Sequence, residues 1–371
     1  MVVGFFEGYF NVSSLDLGAL QFHVTEANGN KVDFKDFVQG FSVIDNVNTA
    51  GMQAQFVLSG PLGQIIQIGD EGSSCRVEAQ LAHQRGLIFQ DTARLSLLWD
   101  GIWENITDER MEGALTRYIT GFDIAKMLAD TEDDWVFQGR SLSEIILEIG
   151  SELELPLGDI PPTTTKLGQI IGRGSSVWAI LQEAVQRHAH ITGNVYRILA
   201  DAGRITMRVQ GGDRHFWTFD VGGALRMARR EKSTANVINL VRIYGRAEGE
   251  DRATLVDEVY DASSARLYGL KQRVAYMGRD AKVEEVRRRA QYNLDKFRSP
   301  SEKFTLTGLV VPGLRAGDRV RVIDEEWGID KLYFAESVES VWDPNDVSAS
   351  LTLQKEPIEP GIDLADEVLA V

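Results

Sequence analysis

The feature that most narrows the folds open to this chain is a double change of hydrophobic period. Apolar and polar residues alternate in short runs toward both ends, and a helical spacing takes over in the middle. A spacing of two buries one face of a strand, whereas a spacing of three and four buries one stripe of a helix. On the N-terminal side, Gln21–Thr25, Gly40–Ile44, Met52–Leu58, Cys75–Leu81 and Leu115–Thr120 read as strands, with a turn at Asn28–Asn30. Strands this close, with no helical pattern between them, predict a compact antiparallel barrel or sandwich.

The period changes at Ser141. Ser141 and Glu144 have the spacing of a capping box, in which the hydroxyl takes an orphan amide and the Glu reaches back. Leu142, Ile145, Ile146, Ile149 and Leu153 then share one helical face. Pro156, Pro161 and Pro162 end that helix and open a polar linker at Thr163–Lys166. A second helix is predicted from about Val177 to Ala189, with Val177, Ile180, Leu181, Ala184, Val185 and His188 on its buried stripe. Val195–Leu199 and Ile205–Val209 flank Asp201–Arg204 as a β-hairpin.

Strands return afterwards. Val237–Tyr244 reads as a buried strand closed by Gly245, and residues 282–297 as an amphipathic helix with Val283, Val286, Ala290, Leu294 and Phe297 inward. Phe304–Thr307, Arg319–Ile323, Leu332–Ala335 and Ala349–Leu353 complete the series. There is a weak internal echo. Gly69–Asp70 and Gly317–Asp318 each precede an alternating strand, and Trp99–Trp103 and Glu326–Gly328 follow. The first copy needs an insertion near residues 80–95 for the two to correspond.

Composition excludes several classes. The net charge of −16 is unsuited to a nucleic-acid-binding surface, which needs clustered Lys and Arg, although a lumen that repels phosphate lets DNA pass without sticking. One cysteine, Cys75, rules out an intrachain disulfide framework and a thiolate-rich metal site. No run approaches the ~20 apolar residues of a membrane span. The apolar start, Met1–Phe10, lacks a basic region and carries Glu7, so a strand or partner-binding arm is expected there in place of a signal peptide.

One ordered series is more specific than any of its members: Val237–Gly245, Ala265–Gly269, the amphipathic helix, Leu314–Val320, Phe334–Val338 and Ser350–Leu353. This order resembles the hub proteins of contractile phage tails, above all those of defective prophages and contractile bacteriocins of Gram-positive bacteria. It is similar also to the late control gene D family and to the hub half of type VI secretion spike proteins. Ser176–Leu181 and the hairpin at Gly203 look like that family's central helix-plus-hairpin unit, so the resemblance spans roughly residues 20 to 355.

The resemblance implies an α+β, mainly β fold, with two tail-tube-like antiparallel β-barrel domains and a small helix-plus-hairpin insertion between them. The expected division is an N-terminal extension (1–19), a first β domain (20–130), a middle domain (131–215), a second β domain (216–355) and an acidic C-terminal extension (356–371). It further implies a homotrimer joining a sixfold tail tube to a threefold spike, with tape-measure and baseplate wedge proteins as neighbours and DNA free to pass the lumen. The expected location is the virion tail baseplate or a phage-tail-like particle, assembled in the bacterial host cytoplasm. Two alternatives remain open: a hub of a type VI or extracellular contractile injection system, and a tail-tip carbohydrate-active or receptor-binding protein.

No residue set composes a catalytic centre, and no enzyme activity, metal or cofactor is expected. His188 and His190 stand two apart on a helix and point to different faces. Gly172–Ser176 lacks the Lys-Ser/Thr of a P-loop and reads as a turn with an N-cap. Asp130–Asp134 and Asp343–Asp346 lack EF-hand spacing and read as turns. Candidate subunit-interface residues are Arg287 and Arg288, on a basic helical run, and Trp99, Trp103 and Trp327, near strand ends, where aromatic burial between subunits is favoured.

Overall fold

A computed structural model describes residues 20–26, 29–80, 95–112, 114–212, 217–220, 225–245, 253–277, 283–308, 310–311, 313–343 and 347–358. The N-terminal extension, the insertion near 80–95 and nearly all of the acidic C-terminal extension lie outside these residues. Alternation builds the first unit: β1 (Leu20–Thr25), β2 (Lys31–Asp33), β3 (Val38–Asn46), β4 (Gln53–Pro61), a one-turn helix α1 (Leu62–Ile65), β5 (Ser74–Gln80), β6 (Leu95–Met111) and β7 (Ala114–Phe122). The inward positions of these strands, with Phe22, Phe41, Phe56, Trp99 and Trp103 the largest, form one core together with Phe34 from the β2–β3 connection.

Trp99 is held in that core by two means. Its indole N–H donates to the Met52 carbonyl at 3.1 Å. Its ring lies over Gly101 and Gly121, where the β6–β7 ladder brings backbone up to it; a Cβ on Gly121 would sit 2.7 Å from the Ile102 oxygen and 2.9 Å from the Trp99 ring.

The middle unit follows α2 (Met127–Asp130) and contains β8 (Glu132–Gln138), α3 (Leu142–Glu152), β9 (Gln169–Ser176), α4 (Val177–Thr192), β10 (Tyr196–Asp201) and β11 (Arg204–Val209). The capping box forms as the spacing predicts: the Glu144 amide donates to Ser141 Oγ at 3.4 Å, and the Ser141 amide to Glu144 Oε2 at 2.7 Å. The helical stripes of α3 and α4 pack together with the inner faces of β8–β9 and β10–β11. The segment read as a polar linker is tied to α3. The Ser143 amide donates to the Thr163 hydroxyl at 2.9 Å, the Thr163 amide returns to the Ser143 hydroxyl at 3.0 Å, and Lys166 pairs with Glu144 at 2.6 Å.

The chain then enters β12 (Trp217–Asp220) and β13 (Leu225–Ser233) and detours through a small unit: β14 (Leu240–Gly245), β15 (Thr254–Tyr260), α5 (Ala262–Tyr268), β16 (Gln272–Tyr276) and α6 (Val283–Phe297). This unit has its own core, in which Ile238, Val241, Ile243 and Val259 meet Ala290 and Leu294 of α6. β14 begins at Leu240, later than the alternation suggests, because the Val237 amide closes a turn on Thr234. The fully buried Asn239 side chain fixes the entry: its amide donates to the Gly269 carbonyl at 2.7 Å and its oxygen accepts from Lys271 N–H at 2.8 Å. The chain returns through β17 (Ser301–Gly308), β18 (Arg319–Asp324), β19 (Ile329–Trp342) and β20 (Val347–Gln354). Because Ser233 pairs with Ser301, the small unit enters and leaves between paired strand ends.

The architecture is mainly β with few helices. Eleven strands form one antiparallel path, β13-β17-β20-β19-β3-β4-β7-β6-β5-β1-β2, with β18 and β12 branching from β19. The junction of the two β regions is the pairing of β19 with β3, from Ser337 opposite Asn46 to Trp342 opposite Phe41. Trp342 stacks on Phe41 at 5.3 Å and contributes to the first core. Among the described residues the pairings form an open path that ends at β2 and β13 and do not close into a barrel.

Overpacking the Trp99 floor tests this account. Gly121→Ala is expected to lower stability by about 1–3 kcal/mol, read as a lower urea midpoint with an unchanged slope. An unaffected midpoint would mean that Trp99 is not pressed onto the β6–β7 backbone.

Candidate functional site

The most specific constellation in the molecule is a buried charge cluster where three units meet. Asp45 lies on β3, and its neighbours Phe41 and Val43 alternate inward with it. Arg197 comes from β10, whose strand is enclosed on both faces, and Arg315 from the turn before β18. The Asp45 carboxylate takes both guanidiniums. Arg197 binds both of its oxygens, and Arg315 Nε donates to Oδ2 at 2.7 Å. The Ala316 amide adds a donor to Oδ2 at 3.1 Å, while Arg197 also donates to the Ala316 carbonyl. Gly317, at φ +88°, lets the turn run past Arg197; a Cβ there would lie 3.2 Å from the Arg197 side chain.

A buried carboxylate alone would be neutral at pH 7. Burial pushes the Asp45 carboxyl up, but the attraction and hydrogen bonds of Arg197 and Arg315 outweigh it and hold Asp45 well below the usual carboxylate range. Asp123, at the end of β7, behaves oppositely. Burial, with a smaller push from Asp45, raises it to about 6, against the pull of the Met52 and Ala125 backbone amides and Arg315. Its Oδ1 accepts the Ala125 amide at 3.0 Å and so caps the turn into the middle unit.

A side-chain clamp lies close by. Gln210 donates to the Ile358 carbonyl at 2.6 Å and accepts the Ile358 amide at 2.9 Å, which fixes the chain after β20 to the middle unit. Beside the arginines, a cavity of about 20 Å³ is lined by Arg197, Arg208, Gln210, Arg315 and Gly317. That is room for a single water and not for a sugar or nucleotide. The arrangement ties the three units together.

The residues singled out from sequence fall elsewhere and do not converge. Trp99 and Trp103 are fully enclosed by their own chain, which corrects their reading as interface residues: the β6 register turns both inward and leaves neither any surface for a second subunit. Trp327 sits in the β18–β19 turn, 42% exposed, with its amide bound by Asp324 Oδ1 at 2.9 Å and its ring 6.1 Å from Phe304. Arg287 pairs with Asp257 of β15 at 2.9 Å, and Arg288 is exposed on α6.

The motifs set aside have local roles. The His188 ring meets Tyr196 and that of His190 meets Tyr292 on α6, each at 5.2 Å. Ser176 caps α4 through the Ala179 amide at 3.2 Å, and Asp134 takes the Gly174 amide at 2.8 Å. Sequence reasoning did not find Asp45, Arg197, Arg315, Gln210 or Asn239. Its one usable signal was a charge at an inward position of a strand, at Asp45 and again at Arg197.

The comparisons with known proteins agree with this architecture. The model of a family described as YQBQ-like matches residues 106–354. The Phage-like element PBSX protein XkdQ of Bacillus subtilis (strain 168) is 22% identical over 243 residues, covering 64% of this chain and 74% of that protein. The tail protein from Neisseria meningitidis MC58 superposes with a TM-score of 0.64 at 16% identity, over 91% of this chain and 96% of its own. The prophage MuSo2 43 kDa tail protein from Shewanella oneidensis gives 0.64 at 14% identity, over 90% and 98%. At these identities the structural likeness is one of fold.

Two expectations follow from the cluster. Asp45→Asn strands two guanidiniums in a buried site and should cost about 3–5 kcal/mol in chemical denaturation. A loss below about 1 kcal/mol would show that the junction is solvated. Asp123 gives a pH dependence of definite sign. Its folded value lies above the unfolded 3.8, so folded chains hold this proton more tightly, and stability falls as pH rises from about 4 through about 6. The difference corresponds to on the order of 3 kcal/mol. Asp123→Asn should flatten the dependence in that window, while the Asp45 contribution is lost only as pH falls below about 4. An unchanged slope between pH 4.5 and 7 in the variant would refute the assignment.

Proposed function

The chain belongs to the YQBQ-like family, and from that premise we propose that it is the structural hub of a phage or phage-tail-like baseplate. Its fold is that of tail proteins. In the finer reading, three copies form a ring that joins a sixfold tail tube to a threefold spike. Tape-measure and baseplate wedge proteins surround it, and the ring assembles in the host cytoplasm. The observation that carries this reading is the fold match over 91% of this chain and 96% of a tail protein.

The mechanism is mechanical. An antiparallel path crossing both β regions, pinned by Asp45 to the middle unit and to the turn before β18, transmits load between tube and spike without hinging. The charge of −16 fits a lumen through which DNA slides unbound. Turnover chemistry is no part of the proposal.

The test is made in the particle. Deleting the gene in the producing strain should yield tubes that lack the terminal complex, and a reconstruction of intact particles should place three copies at the tube's end. Placement on a fibre tip, or wall-degrading activity of the purified chain, would overturn the hub reading.

A further inference from the structure

Charge is distributed unevenly along this chain. Residues 237–298, which hold the small β14–β16 unit, carry thirteen Lys and Arg against ten Asp and Glu, while the whole chain is at −16. Residues 20–122, the first β unit, carry seven basic against thirteen acidic residues. Copies of so acidic a chain repel one another, and like charges facing across an interface cost several kcal/mol. The basic unit is therefore the surface that another copy's acidic face can meet without that cost.

Two open strand edges add geometry to this sign. β16 is the outer strand of the sheet β15-β14-β16, and no described strand pairs with its far side. From Lys271 to Tyr276 it carries Lys271 and Arg273 and no acidic residue. The sheet face turned away from α6 exposes Tyr260, Leu255 and Tyr276, and Tyr276 lies 6.0 Å from the Tyr244 ring. In the first unit, β5 pairs with β6 only from Leu95 to Ile102. Beyond Asn105, β6 is bonded to β7 on one side, and among the described residues its other edge is open. Glu104–Glu109 on that arm contains no basic residue; Asp108 is paired with Arg117 of β7, so Glu104 and Glu109 carry the charge of the edge, with Ile102 and Tyr118 exposed beside it.

We propose that the open edge of β16 in one copy receives the acidic open edge of β6 from a second copy, strand against strand. An unpaired edge is a template for another chain, and charge normally keeps such edges apart. Opposite charges on two edges instead select one pairing. The two surfaces differ, so the contact is head-to-tail and closes into a ring when its rotation allows. This inference rests on the ring reading above and adds the surfaces that make it.

Light scattering over a dilution series, at 50 and 500 mM salt, tests it on the full chain, its Arg273→Glu and Glu109→Arg variants and the double variant. The wild-type chain should associate, less so at high salt. Each single change should weaken association at least tenfold, and the double change should restore most of it. Thermal melts of the four proteins should coincide, which separates a lost contact from a lost fold. A Val136→Asp control on the β8–β9 ribbon should leave association unchanged. Association that is indifferent to Arg273 and Glu109 overturns these surfaces and leaves the ring reading standing. A wild-type chain that is monomeric at every concentration also overturns them, and the hub reading is then decided by the particle reconstruction.

Discussion

The geometry of the whole molecule depends on one carboxylate. Asp45 is 2% exposed, and an unpaired charge at that depth would cost many kcal/mol. It is stabilised only when Arg197, 152 residues on, and Arg315, 270 residues on, both reach it. Each arginine is in turn anchored by a backbone carbonyl of another unit, Arg197 by Ala316 and Arg315 by Ala200 at 3.4 Å. Displacing any one unit leaves a buried ion without its partner. Apolar contacts slide at little cost, whereas a carboxylate shared between two forks has one arrangement. The cluster therefore specifies how the units sit, whatever its net contribution to stability.

That constraint explains how the second β region is placed. β19 extends the ladder of β3, and the residue after Asp45, Asn46, opens the pairing opposite Ser337. The charge cluster and the start of the inter-unit ladder are thus adjacent in the chain, and each fixes the register of the other. A slip of one residue along β3 would turn Asp45 to the opposite face and strand both arginines. The small β14–β16 unit escapes this constraint. Its base is the paired ends of β13 and β17, its core is its own, and its contact with the middle unit includes the His190–Tyr292 rings.

What the sequence made legible follows from the range of each interaction. The capping box at Ser141, the stripes of α3 and α4, the β10–β11 hairpin and the 282–297 helix, observed as Val283–Phe297, rest on neighbours within about four residues or on one turn. The β8–β9 ribbon went unread because Glu132–Asp134 breaks its alternation and its partner lies beyond a whole helix. The parallel pairing of β14 with β16 has no local signature either, since parallel strands are joined only through a crossover. Trp99 and Trp103 were misread for a related reason: aromatic residues suit a core and an interface equally, and only the β6 register decides between them. Of the cluster, Asp45 and Arg197 each carry the local signal of a charge at an inward strand position, but nothing near either in the sequence marks them, or Arg315, as partners.

The same physics explains why the fold is shared with tail proteins at 14–16% identity. Alternation asks only for apolar residues of adequate volume at inward positions, and cores tolerate wide substitution under that rule. Turns ask for a few permissive positions: Gly69 and Gly317 both take positive φ before a strand, which gives the echo between the two β regions a backbone cause. Neither requirement preserves identity along the sequence. The surfaces are less constrained still, so chains with this fold can differ in charge and edge chemistry while the path from β13 to β2 persists. In this chain the edges proposed to meet another copy are those of β6 and β16, both open among the described residues.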